Sequence, residues 1–352
     1  MCVVPLEEPG WWYGRGRGAE MASRLLGPIG DLYGAAVERR FTSATGHRTA
    51  LPVICVGNFT AGGTGKTPLT RFLIDTLAAR DVRAACLSRG YGGALAGPVW
   101  VSPSQHTAAD VGDEPLLVAQ GARVMVACDR KAGLDAIAAE GNVQAVVMDD
   151  GLQNPSLAKD LSIAVVDARR GIGNGRVIPA GPLRARLSFQ LGLVDCIIVM
   201  GTDPDDVELP IFETLRKKFH GPVLRGAVEP ASDTAWITDT EVLAYAGIAN
   251  PQRFFGMLEG FGPRSVDRRP FRDHHAFSEA EAAQLIADAE KLGAQLVTTE
   301  KDFARLAGAG GARGRLASLS RTLPIRVGFD DRDLVRLEAL IDGALKAAAS
   351  RA

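Results

Sequence analysis

The sequence predicts a doubly wound α/β protein with a P-loop and a mostly parallel sheet, joined by a smaller C-terminal α/β domain and an N-terminal amphipathic helix. Three observations lead there. After Pro52, short β-branched runs alternate with helical stretches, which is the pattern of buried parallel strands covered by helices. The stretch "NFTAGGTGKTPLT" at 58–70 sits between an apolar run and a helix, the setting a phosphate loop requires. A chain of 352 residues, 46% hydrophobic and 23% charged, carries enough apolar side chain for more than one core.

The elements follow in order. The first twenty residues are rich in Gly and Arg and carry Trp11, Trp12 and Tyr13, a mixture without helical or strand periodicity, so they read as an irregular arm. Pro28 is placed as the first residue of a helix over 28–40, where Ile29, Leu32, Tyr33, Ala36 and Val37 recur at helical spacing and Arg39 and Arg40 close the C-terminal end. Two roles stay open for it: packing on its own domain, or lying on a membrane surface with Arg15, Arg17, Arg24 and the tryptophans nearby.

Strands are expected at "VICVG", "VRAACLS", "ARVMVAC", "QAVVMDD", "LSIAVVDA" and "DCIIVM", with helices at 68–80 and 130–140. The pattern relaxes over 202–222. A second set follows with "VLAYAGIA", a helix at 279–292 capped by Ser278 and Glu281, "AQLVTTEKD", and a last helix at 332–349. The expected division is an arm and surface helix in 1–50, a nucleotide-binding core in 51–215 and a smaller domain in 216–352.

The totals narrow the function classes. A net charge of −1 provides no general attraction to nucleic acid, so no nucleic-acid partner is expected and an anionic ligand must meet a local basic patch. Five widely spaced cysteines read as reduced residues of a cytosolic protein, with Cys55, Cys86, Cys128 and Cys196 buried in or beside strands. Neither a signal peptide nor a run of the ~20 apolar residues needed to span a membrane is apparent.

The phosphate loop departs from G-x-x-x-x-G-K-[ST] at one place, Thr60. Thr60, Ala61, Gly62, Gly63, Thr64, Gly65, Lys66 and Thr67 would wrap the phosphates of ATP, with backbone N–H groups turned inward at the positive end of a helix. Lys66 would reach the outer phosphates and the Thr67 hydroxyl would hold Mg²⁺. "AVVMDDG" ends a strand with Asp149 and Asp150, candidate carboxylates for the same metal. Three more polar clusters occupy short loops: "SRGYGG" with Arg89, "GDEP" with Asp113 and Glu114, and "RDHHAF" with Asp273, His274 and His275. Each alone has an ordinary explanation as a salt bridge, a helix cap or a surface pair. Phosphoryl transfer to an alcohol, however, needs a base beside the acceptor, and an Asp–His pair suits that.

Taken together, "LPVICVGNFTAGGTGKTP", "SRGYGG", "VGDEPLL", "DDGLQN", "GNGRVIPAGPLR", "GIANPQRFF", "FRDHHAF" and "TTEKD" make the chain resemble the tetraacyldisaccharide 4'-kinases of lipid A biosynthesis, over about residues 51 to 303. That family's loop is similar in lacking the first glycine. The resemblance implies transfer of the ATP γ-phosphate to the 4'-hydroxyl of an acylated glucosamine disaccharide 1-phosphate, by an enzyme peripheral to the cytoplasmic face of the inner membrane; a monomer is the expected state. It also implies Mg²⁺ as the metal, Asp113 as the catalytic aspartate, and one of His274 and His275 as its partner. Arg89, Arg130, Arg184 and Glu114 become candidate substrate contacts. After "GPLR" this chain has Ala185 and Arg186 where the family usually continues with Glu and Pro, and Ala249 stands where glycine is common. A membrane-bound ATPase switch without a lipid acceptor would explain the loop, the two aspartates and the helix, but not "GDEP" together with "RDHHAF".

Overall fold

The computed structural model describes residues 8–14, 16–201 and 209–351, so Cys2, Arg15 and the polar stretch at 202–208 lie outside the described residues. The described strands are β1 Val53–Asn58, β2 Ala84–Ser88, β3 Val99–Trp100, β4 Arg123–Val126, β5 Ala145–Asp149, β6 Leu161–Asp167, β7 Cys196–Met200, β8 Val223–Pro230, β9 Glu241–Ala246, β10 Ser265–Pro270, β11 Gln295–Thr298, β12 Ser320–Thr322 and β13 Ile325–Gly328. They form a nine-stranded sheet in the order β13-β8-β7-β6-β1-β5-β2-β4-β3 and a four-stranded sheet in the order β10-β9-β11-β12. The large sheet is parallel except at its two edges, where β13 pairs antiparallel with β8 and β3 with β4. The small sheet is parallel throughout.

Every residue of β1, β5, β6 and β7 is buried, as expected of strands covered on both faces. On one face Ile54 and Val56 pack with Leu69, Leu73 and Leu77 of the helix Lys66–Ala78. Burying each such aliphatic side chain contributes roughly 1.5–3 kcal/mol. Because the central strands run parallel, β1, β5 and β6 deliver Asn58, Asp149 and Asp167 to the same edge of the sheet.

The structure corrects three expectations. The division at 215/216 does not separate the sheets: β8, β13 and the helix Asp331–Ala349 belong to the large one, and Leu337, Ile341 and Ala344 share a core with Ile54 and Leu69. The smaller unit is therefore an insertion between β8 and β13. β8 has no strand signature in the sequence because an edge-proximal strand, "VLRGAVEP", is only partly buried and carries charge. Cys128 is exposed, unlike Cys55, Cys86 and Cys196.

Pro28, thirdly, lies inside the N-terminal helix, which runs Arg17–Thr42. Helix-favouring Ala19, Glu20, Met21, Ala22, Leu25 and Leu26 precede it, and tertiary contacts offset the hydrogen bond that proline removes. The helix docks through its small residues. Ser23 donates to the Ala180 carbonyl at 2.9 Å, and a Cβ on Gly30 would come within 2.7 Å of the Val177 carbonyl oxygen. Trp12 is buried, and its indole N–H donates to the Pro179 carbonyl at 3.0 Å. Met21, Leu25, Ile29, Leu32 and Tyr33 point outward and are exposed, Leu25 at 80%. No helix among the described residues is long and apolar enough to cross a membrane.

Candidate active site

The phosphate loop leaves β1 and enters the helix Lys66–Ala78 with Gly65 as its N-cap. Gly62 and Gly65 have φ of +94° and +89°, conformations that only glycine adopts without strain. Thr60 has no such need, because it is extended and bridges antiparallel to Leu183, while the Ala61 N–H donates to the Pro182 carbonyl at 2.8 Å. The loop's first bend is thus replaced by pairing with "AGPLR", which explains why glycine is dispensable at 60.

The loop suits an anion. Lys66 and Thr67 are buried in the first helical turn, and the buried Thr64 hydroxyl has no hydrogen-bond partner among the described residues. The carboxylate of Glu8, paired with Arg170 at 2.8 Å, lies directly against Gly62, where an anionic ligand would be cradled. Burial pushes the Glu8 carboxyl upward against the opposing charge of Arg170. Neither Glu8 nor Arg170 carries a motif signal in the sequence.

The two aspartates after β5 have different surroundings. Asp149 is buried, and desolvation together with the charge of Glu114 pushes its carboxyl up to about 7, against the pull of Lys66. Asp150 has φ of +50° and bonds Arg184 at 3.0 Å and Lys66 at 3.5 Å. Burial would raise it, but Arg184 and Lys66 outweigh that and hold it well below the usual carboxylate range. With Thr67, Asp149 is the better-suited metal ligand, since Asp150 is engaged by two cations. Arg184 also donates from Nε to the Thr60 carbonyl at 3.0 Å, tying the phosphate loop to "AGPLR". Arg130 is buried with its Nε unpartnered among the described residues, and Arg89 is exposed on the loop after β2.

The "GDEP" and "RDHHAF" residues come from the units of both sheets. Asp113 opens the helix Asp113–Ala119, and His274 lies on the loop after β10. His274 Nδ1 is 3.2 Å from Asp113 Oδ2, and the Glu114 N–H donates to Asp113 Oδ1 at 3.0 Å. Burial alone would raise the Asp113 carboxyl, yet the hydrogen bond from His274 and the charges of Arg305 and Lys301 hold it far below the usual range. The same hydrogen bond raises His274 above the ordinary histidine value. His274 has φ of +58°, a conformation that costs of order 1–3 kcal/mol in a non-glycine residue.

His275 does not join this pair. It hydrogen-bonds Glu281 at 3.1 Å and stacks on Phe271 with centroids 4.8 Å apart, a structural role at the start of the helix Glu279–Leu292. Two residues missed in the sequence complete the cluster from the helix Glu300–Leu306. Arg305 donates from Nε to Asp113 at 3.0 Å and from Nη1 to Asp302 at 2.7 Å and the Gly247 carbonyl at 2.8 Å. Lys301 pairs with Glu114 at 2.5 Å, so Glu114 is committed to a lysine. Four-residue spacing puts Lys301 and Arg305 on one face of a helix, and Lys301 falls within "TTEKD", but neither signal names the carboxylate it meets.

A phosphate loop with paired aspartates lies near an Asp–His pair, since Glu114, beside Asp113, interacts by charge with both Lys66 and Asp149, and such a pairing suits phosphoryl transfer to an acceptor. Comparison with known proteins identifies the lineage. The family model for Tetraacyldisaccharide-1-P 4'-kinase matches residues 22–345. The chain belongs to this family. It is 46% identical over 329 residues to the tetraacyldisaccharide 4'-kinase of Rhodopseudomonas palustris, covering 93% of each chain. Against the enzyme of the same name from Parvibaculum lavamentivorans it is 44% identical over 350 residues, covering 98% of this chain and 100% of that one. Its fold is similar to that of LpxK from Aquifex aeolicus, solved in complex with ATP, with a TM-score of 0.70 at 24% identity over 92% of this chain and 99% of that one.

Proposed function

We propose that this family member transfers the γ-phosphate of ATP to the 4'-hydroxyl of a tetraacylated glucosamine disaccharide 1-phosphate. The observation that carries the reading is the juxtaposition of the phosphate loop with the Asp113–His274 pair, two sets of residues that neither a bare ATPase nor a phosphatase would need together. Gly62, Gly63, Gly65 and Lys66 cradle the triphosphate, and Thr67 with Asp149 would hold Mg²⁺, which supplies charge neutralisation for the transferring group. Arg184 and Arg130 supply further positive charge at the phosphate end, and Arg89 stands at the rim.

Asp113, held ionised, orients His274 through Nδ1 and stabilises the charge that appears on its ring as the pair takes the proton of the acceptor hydroxyl. Most of the rate comes from positioning and electrostatics, since phosphoryl transfer leaves little covalent work to the protein. The exposed stripe Met21, Leu25, Ile29 and Leu32 supports a peripheral location at the inner-membrane surface, where its apolar side chains would enter the acyl boundary beside an acylated acceptor.

The test is direct. The purified protein is incubated with γ-labelled ATP, Mg²⁺ and the disaccharide 1-phosphate in detergent; label at the 4' position is expected. Hydrolysis of ATP at the same rate with and without acceptor, and no labelled lipid, would replace this reading with an ATPase.

A further inference from the structure

Residues 8–14 precede the stretch that the family model matches, yet they are fastened to the segment 173–179. The Asn174 N–H donates to the Trp12 carbonyl at 2.8 Å, and a Cβ on Gly173 would come within 2.7 Å of that carbonyl oxygen. This anchoring delivers Glu8 to the phosphate loop. Its Oε1 lies so close to Gly62 that a Cβ there would overlap it. That oxygen is buried with no hydrogen-bond partner among the described residues, as is the Thr64 hydroxyl of the same loop.

The other carboxylate oxygen, Oε2, accepts from Arg170 Nη1 at 2.8 Å, and Arg170 Nη2 donates to the Ala249 carbonyl at 2.8 Å. A Cβ on Gly63 would stand 3.2 Å from the Ala249 methyl. Arg170 is thus held beside Gly62 through one partner and beside Gly63 through the other. Its backbone is held too, because Asp167 Oδ1 accepts from the N–H groups of Arg169 at 2.9 Å and Arg170 at 2.8 Å.

We infer that Arg170 is a ligand of the outer phosphates of ATP, and that Glu8 competes with those phosphates for Arg170 and for the cradle at Gly62. The inference rests on ATP being the donor, as in the reading above. Inward N–H groups at a helix N-terminus attract a carboxylate as they do a phosphate. An ion pair built only for stability would find donors for both carboxylate oxygens, whereas burying Oε1 without one is a cost. A phosphate offers more charge and more acceptor oxygens, and a guanidinium fork matches it through paired N–H bonds. The two anions exclude each other, since like charges at contact distance in a partly buried site repel strongly. Glu8 lies ahead of the anchors at Trp11 and Trp12, so it leaves the loop without undoing them.

Equilibrium titration with MgATP compares the full-length parent with Glu8→Gln, Arg170→Gln and the double variant. Glu8→Gln should bind about two- to fivefold more tightly. Adding Arg170→Gln to Glu8→Gln should then weaken binding about tenfold or more, the loss of a charged hydrogen bond. That second step decides the matter. If Arg170 served only to neutralise Glu8, its removal in that background would leave ATP affinity within about twofold, and the inference would fall. Unchanged or weaker binding in Glu8→Gln alone would equally overturn the competition. Arg170→Lys in the same background keeps the charge but loses the fork, and should recover only part of the affinity; full recovery would overturn a direct contact. The melting temperature without nucleotide and the KM for the acceptor should stay close to the parent's, and losses of both alongside ATP affinity would mark a structural role and overturn the inference. A parent protein that binds ATP but labels no lipid would overturn the kinase reading, a different failure.

Discussion

The phosphate loop and the proposed acceptor side are built in different ways. The residues from Thr60 to Thr67 form one continuous loop and first helical turn, anchored by the buried strand before them and the helix Lys66–Ala78 that they enter. The acceptor side gathers Asp113, His274 and Arg305 from three separate segments, with Asp113 and Arg305 192 positions apart in the chain. A contiguous loop holds its geometry by local backbone rules. A cluster assembled across two sheets depends on how the inserted smaller unit is held against the large one, and buried charges do much of that holding.

Lys66→Ala should break the local side outright. Turnover is expected to fall by ~10³ or more with weakened ATP binding, measured by steady-state kinetics and nucleotide titration. Asp113→Asn breaks the assembled side and should separate the two functions: turnover falls by about 10³ while ATP affinity is kept. Loss of ATP binding in that variant would show that the two sides are not independent.

The same variant carries a pH signature. In the parent, His274 is raised above 6.5 by Asp113, so its neutral, proton-accepting form is lost as pH falls through that raised value, and activity should show an acid limb above pH 6.5. Without the carboxylate that support disappears, and the acid limb of the residual activity should move to lower pH. A limb that stays in place would remove His274 from the reaction.

Away from the phosphate loop, replacing Leu25, Ile29 and Leu32 together by Ser should weaken vesicle association by roughly 10- to 100-fold in a flotation assay, from the apolar area withdrawn. Thermal stability should hardly change, since these side chains are already exposed. Arg305→Lys keeps a charge but loses the fork that reaches Asp113, Asp302 and Gly247, and should lower kcat about tenfold with little change in ATP affinity. The smallest effect is expected at Glu8. Removing the partly buried carboxylate that lies against Gly62 should tighten ATP binding by about two- to fivefold, a modest charge effect.

Residues with a local signature were legible in the sequence. Gly62, Gly65, Lys66 and Thr67 announce themselves by spacing, and Ser278 with Glu281 forms the expected capping box. The interior strands were legible because burial on both faces demands continuous β-branched runs. β8 and β13 were not, since strands near an edge tolerate charge. Arg305 and Lys301 were missed because their partners are distant in sequence, and nothing in a seven-residue helix says which carboxylate it will meet.

The sequence by itself determined the α/β class, the phosphate loop and the helix with an apolar stripe, all set by short-range periodicity and backbone preference. Tertiary structure alone decided that His274, not His275, meets Asp113, since a left-handed φ at 274 sends the two neighbouring side chains to different partners. It likewise decided that Thr60 replaces a glycine by pairing with Leu183, and that the last helix returns to the first sheet. Each is a long-range contact, chosen by which buried charge, carbonyl or apolar face found its complement when the chain closed on itself.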